Sequence, residues 1–146
     1  MKVFISADIE GVTGSTIREE CNKSCGEYKR FAEQMTYEVV AACQGARAAG
    51  ADEIVVKDAH GSATNIDITK MPSYVSLIKG RSGHPYSMMY GLDNTFDAVM
   101  FVGYHSAAGS SGNPLSHTHT GNPFYIKING LYSSEFIINS YTAAME

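Results

Sequence analysis

The sequence predicts an α/β domain, a mostly parallel sheet flanked by helices with an antiparallel hairpin near the C-terminal end. Three observations carry this. Short apolar, β-branched runs recur at Lys2–Ala7 (KVFISA), Glu53–Lys57 (EIVVK), Tyr74–Lys79 (YVSLIK) and Asp97–Val102 (DAVMFV), as in strands buried on both faces. A long helical pattern separates the first two, and strand, helix, strand at that spacing makes a right-handed βαβ unit with parallel strands. Finally, Asn129-Gly130 follows the apolar stretch Phe124–Ile128, the strongest short hairpin signal.

Taken in order, the first strand stops at Asp8-Ile9-Glu10-Gly11, and the polar stretch Thr13–Gly26 reads as a loop. From Glu27 to Ala49, Phe31, Met35, Val39, Ala42, Cys43 and Ala46 recur three or four apart on one helical face, and Gly50 stands where a helix C-terminal glycine belongs. The second strand runs into Asp58-Ala59-His60-Gly61. Ala63–Ser73 reads as loop and short helix, and Gly80–Asn94 as one or two helical turns around Tyr86-Ser87-Met88-Met89. The fourth strand ends in Gly103-Tyr104-His105, followed by a Ser/Gly/Ala-rich loop, Ser106–Pro114, without an apolar anchor, and by the alternating Ser116–Thr120. A last helix is predicted over Ser133–Ala144, with a serine start, Glu135 in its first turn, and Phe136, Ile137 and Tyr141 inward. It reaches Met145-Glu146 without a glycine stop, so residues 1–146 read as a single domain that is truncated.

Composition narrows the function classes. The 146 residues are 44% hydrophobic and 18% charged, with a net charge of −4. No Lys/Arg stripe offers a nucleic-acid footprint, and no polybasic or apolar segment suits a membrane. The chain enters its first strand at Lys2 with no signal segment, which predicts a cytoplasmic protein. Cys21, Cys25 and Cys43 cannot all pair within the chain, and the Cys21/Cys25 spacing is not that of a CxxC motif; all three are expected to be reduced thiols.

Chemistry concentrates at the strand ends. Asp8-x-Glu10, Asp58-x-His60 and His105 follow three different strands, and ligands of open parallel sheets bind beyond the strands' carboxyl ends. An i, i+2 pair on a strand points the same way, so three acidic residues and two histidines are expected to converge. His117 and Glu135 follow in positions that can close over them. Carboxylate and imidazole without thiolate suit zinc, manganese or iron in catalytic sites, and a bridging carboxylate suits two ions. Taken singly, each residue has a plainer reading. An acid after a strand is often a turn residue, His84 or His119 a solvent-facing histidine, and Glu135 a helix-start acid; Asp58 reads as a turn residue or as an orienting partner for a histidine. Serine and cysteine nucleophile motifs and phosphate-binding glycine loops are absent.

Five segments in order, FISADIEGVTG, VKDAHGSATN, MMYGLDNTFDAVMFVGYHS, PLSHTH and SSEFIINSY, resemble the D-aminopeptidase family, zinc peptidases that release D-amino acids such as D-alanine from the N-terminus of short peptides. The resemblance spans nearly the whole chain. It implies two zinc ions per chain held by Asp8, Glu10, His60, His105 and Glu135, with the aspartate bridging, and His117 as the catalytic histidine. It further implies a short peptide substrate, a homo-oligomer, and family chains that continue well past Glu146. Two other readings stay open. One is a two-metal phosphoesterase, disfavoured because no arginine or lysine stands beside a ligand motif to clamp phosphate. The other is a non-catalytic metal-binding assembly module.

Overall fold

The computed structural model describes residues 1–146. Four parallel strands, β1 (Lys2–Ala7), β2 (Glu53–Asp58), β3 (Val75–Ile78) and β4 (Ala98–Val102), form a sheet in the order β3-β2-β1-β4. The chain adds β2 and β3 on one side of β1, then returns to lay β4 on the other. The order therefore reverses at β1, and the crevice beyond the carboxyl ends of β1 and β4 is the place where such sheets bind ligands.

Helix α1 (Tyr28–Ala48) covers one face. Its buried residues Phe31, Met35, Val39, Cys43 and Ala46 meet Val3, Ile5, Ala7, Ile54 and Val56 in the main core. Gly50 ends the helix at φ +95°, its N–H bonded to the Arg47 carbonyl at 3.1 Å. The other face carries Phe4, Val55, Val99 and Phe101, packed by Met89, Leu92, Phe96 and Ala143. Met89 belongs to a short 3₁₀ turn, Ser87–Met89. Ala143 lies on helix α2 (Glu135–Met145), capped by Ser134, whose hydroxyl accepts from Ile137 N. Only Lys127–Ile128 (β5) and Leu131–Tyr132 (β6) pair across the Asn129-Gly130 hairpin.

Two expectations need correcting. Phe136 and Tyr141 do not face inward: they are 45% and 40% exposed, and the buried positions of α2 are Glu135 and Asn139. The helix thus meets the sheet through a mixed face, with Ala143 and the edge of Phe136 against the Phe101 side and the polar Glu135 and Asn139 most buried. The Ser106–Pro114 loop does have apolar anchors, since Ala107 and Ala108 are buried, as is Leu115 just beyond it.

The loops after β1 and β4 lie back to back. A Cβ on Gly11 would stand 2.4 Å from the Tyr104 carbonyl oxygen, and one on Gly103, itself at φ +66°, would stand 2.1 Å from that of Asp8. Only glycine allows this approach, and Gly11 N–H donates to Gly103 O at 2.8 Å across it. No helix is long and apolar enough to cross a membrane, and all three cysteines are free thiols.

Candidate metal centre

Asp8 is the first residue beyond β1, and its N–H still donates to Val102 O at 2.8 Å. Its carboxylate is fully buried. Oδ1 accepts from Ile9 N at 2.7 Å and Glu10 N at 3.3 Å, while Oδ2 has no hydrogen-bond partner. His105 enters from the loop after β4. Its Nδ1 lies 3.0 Å from the Ser106 carbonyl, which can only accept, so the proton is assigned to Nδ1 and the Nε2 lone pair faces inward. That Nε2 is 3.5 Å from Glu135, 3.7 Å from Asp8 and 3.7 Å from Glu10.

His117 is held in the same manner, with Nδ1 2.7 Å from Leu115 O and its backbone N–H donating to Ser106 O at 3.2 Å. Its Nε2 approaches Glu10 at 3.3 Å and Glu135 at 3.7 Å. The His105 and His117 rings stack, centroids 4.1 Å apart and planes 7° from parallel. His60, two residues beyond β2, brings Nε2 to 3.6 Å from Glu10. Glu135 opens α2, and its Oε1 accepts from His119 N at 2.6 Å.

A polar chain beneath the site ties these pieces together. Ser6 donates or accepts with the Tyr104 hydroxyl at 2.7 Å, and Asn139 Nδ2 donates to that hydroxyl at 3.2 Å. Asn139 lies one turn after Glu135, so this contact fixes the roll of α2 and the direction of the Glu135 carboxylate.

Three carboxylates and three imidazoles in one crevice shift one another. Burial, reinforced by Glu10 and Glu135, pushes Asp8 up to about 7. Burial also raises Glu10 and Glu135, but facing imidazoles outweigh it and both end below the usual range. The Glu10 carboxylate lifts His117 to about 9. His105 is raised too, its burial overcome by Glu135 and Asp8. His60 is lowered, mainly by burial.

Ligand atoms fall into three groups compact enough to share a cation: Asp8/Glu10/His60, Asp8/His105/Glu135 and Glu10/His105/His117. Among the buried atoms without a partner, Asp8 Oδ2 and His105 Nε2 are donors of the kind that zinc takes from carboxylate and imidazole. Each is costly to bury without a partner.

All six residues singled out from the sequence, Asp8, Glu10, His60, His105, His117 and Glu135, therefore meet. Asp58 does not join them: its carboxylate accepts from Asn65 N at 2.5 Å, Asn65 Nδ2 at 2.7 Å and Ile66 N at 2.8 Å. The backbone leaves the strand after Asp58, so strand alternation does not carry it to the His60 side. His84 lies elsewhere, accepting from Tyr86 N. Although no arginine or lysine stands beside a ligand motif in sequence, Arg18 and Arg81 line the same cavity. Each comes from a loop remote from the ligand motifs, and no local spacing could have signalled it.

The sequence profile of the D-aminopeptidase family matches residues 1–146. The chain belongs to the D-aminopeptidase family. A D-aminopeptidase of Bacillus subtilis (strain 168) is 32% identical over 143 residues, 98% of this chain and 52% of the relative. The solved structure of the zinc-dependent D-aminopeptidase DppA from Bacillus subtilis, a self-compartmentalizing protease, superposes with a TM-score of 0.93 at 31% identity. It covers 99% of this chain and 52% of that one. The chain thus spans about half the length of the D-aminopeptidases it matches.

Proposed function

We propose that this chain carries the centre of a zinc-dependent aminopeptidase that hydrolyses the N-terminal amide of short peptides and releases D-amino acids such as D-alanine. The observation that supports it best is the sharing of Asp8 between two ligand groups, one with Glu10 and His60, the other with His105 and Glu135. A carboxylate common to two sets is what a bridged pair of ions requires. In this reading two zinc ions per chain are held by those five residues. Bound there, zinc would supply an acidified water and Lewis acidity toward the amide carbonyl.

The chain's own groups do the rest. His117 exchanges protons at Nε2, taking one from the attacking water and giving one to the leaving amine. The Leu115 carbonyl holds the ring in the tautomer that leaves Nε2 available. The Ser106 carbonyl does the same for His105, and Asn139 holds α2 so that Glu135 stays aimed. Membership of the D-aminopeptidase family favours peptide over phosphate ester as substrate.

Two further elements belong to this reading. Three unpaired thiols suit the reducing cytoplasm. The hairpin region exposes Phe124 (92%), Leu131 (62%) and Tyr125 (57%), apolar surface suited to contact between copies in a homo-oligomer. Sedimentation of a Phe124→Ser, Leu131→Ser variant tests the latter, with dissociation expected.

Zinc analysis and assays with D-alanyl and L-alanyl anilides test the central claim. About two zinc equivalents and a preference for the D-substrate are expected, and Asp8→Ala should lose both metals. His117→Ala should keep the metal and lower turnover by about 10²–10⁴. Loss of zinc from His117→Ala would make it a ligand instead. A zinc-loaded protein without turnover on any peptide would leave a non-catalytic module.

A further inference from the structure

Two guanidinium groups open on to the cavity of the metal-binding cluster, and neither has an anionic partner. The cavity, about 250 Å³, is walled by Glu10, His60, His117, Glu135, Arg18 and Arg81. Arg18 starts the 3₁₀ turn Arg18–Cys21. Its guanidinium lies against Gly121, where a Cβ would stand 2.8 Å from one of its terminal nitrogens. Arg81 comes from the loop after β3 and donates from Nε to Gly61 O at 2.5 Å, the residue after His60. That bond orients the guanidinium and leaves both terminal nitrogens free. Although Glu10 lines the same cavity, no carboxylate lies within ion-pair distance of either arginine.

We propose that Arg18 and Arg81 form a carboxylate subsite that binds the free C-terminus of a di- or tripeptide whose scissile amide lies at the metal-binding cluster. This rests on the peptidase reading and deepens it. A short peptide carries an ammonium at one end and a carboxylate at the other. A planar guanidinium fork suits the second. An extended dipeptide spans about 7 Å, and one cavity is lined both by the two arginines and by Glu10, His60, His117 and Glu135. The arginines thus select by charge: a peptide capped as its amide presents no carboxylate to them. Because both side chains are exposed, their removal costs little stability.

The test compares D-Ala-Gly with its C-terminal amide on the zinc-loaded protein. The free acid should be favoured in kcat/KM by about 10–10², the worth of a charge-assisted contact. Arg18→Ala and Arg81→Ala should each remove about tenfold of that for the acid, leave the amide unchanged, and keep the melting temperature. Arg18→Lys should restore part. Calorimetry with an uncleavable aminomethylene analogue, as acid and as amide, gives the same comparison without turnover. If that carboxylate preference appears in binding while no peptide is cleaved, the peptidase reading fails and the subsite stands. Equal handling of acid and amide, or equal losses for both in the arginine variants, would overturn the subsite. So would full rescue by D-Ala-Asp-amide, which would show the arginines reading a side chain instead of a terminus.

Discussion

On the α1 side of the sheet, Val3, Ile5, Ile54 and Val56 meet Met35, Val39 and Cys43 in a continuous apolar cluster. On the α2 side, Phe4 has Met89 and Leu92 as buried apolar partners, and toward the strand ends the contacts turn polar, with Ser6, Tyr104 and Asn139 joined by hydrogen bonds. The first face is held by area removed from water, which is indifferent to direction. The second is held by directional contacts that also aim Glu135. One side stabilises the fold, and the other trades apolar contact for orientation at the carboxylate–imidazole cluster.

Breaking the apolar side should give the largest effect on stability. Met35→Ala, at a fully buried position, should cost about 2–5 kcal/mol in chemical unfolding, while the protein that remains folded binds zinc normally. Asn139→Ala tests the polar side. It should cost about 1–3 kcal/mol by leaving buried partners unsatisfied, and should also weaken zinc binding about 10–100-fold through the drift of Glu135. Unchanged zinc affinity in Asn139→Ala would erase the proposed difference between the faces. Tyr104→Phe, which removes one hydroxyl and keeps the ring on Phe101, should cost about 1 kcal/mol with a smaller loss of affinity.

A further effect is expected on pH dependence, and the groups of the metal-binding cluster on the polar side contribute to it. His117 is raised to about 9, so its contribution to the metal-free fold is full below 6.5 and lost as pH climbs to 9. Asp8, a carboxylate raised to about 7, favours its neutral form in the fold and works in the same direction. Glu10 and Glu135 are lowered and contribute above the usual carboxylate range, losing that contribution in acid. The metal-free protein should therefore melt lower at pH 9 than at pH 6. Zinc must displace the histidine protons, so the rise in melting temperature on adding zinc should be larger at pH 9. A zinc-induced rise that shrinks with pH would contradict this assignment of protons.

The same contrast explains what was legible in the sequence. Strands β1, β2 and β4 and helix α1 follow from apolar runs and a 3.6-residue period, because the apolar side is built of the residues those patterns detect. Asp8, Glu10, His60 and His105 were legible because each follows a strand whose carboxyl end faces one crevice. His117 and Glu135 were legible only as residues able to close over that crevice, and the family resemblance supplied their roles. Asp58 was ambiguous because strand alternation stops applying where the strand stops. The inward face of helix α2 was read only in part, because its most buried residues, Glu135 and Asn139, are polar. Arg18 and Arg81 lie in loops whose positions depend on tertiary packing alone.

The stacked rings of His105 and His117 have a use beyond chemistry. Each imidazole sits in the shielding cone of the other, so the ring protons of both should resonate upfield of ordinary histidines in a proton spectrum. His105 rides on the loop just after β4, whereas His117 rides on the loop that precedes the hairpin. Any motion that carries that loop away from the sheet changes the mutual shielding before it disturbs any strand. The pair is thus a built-in reporter of whether the two halves of the crevice are closed on each other, readable in solution without a label.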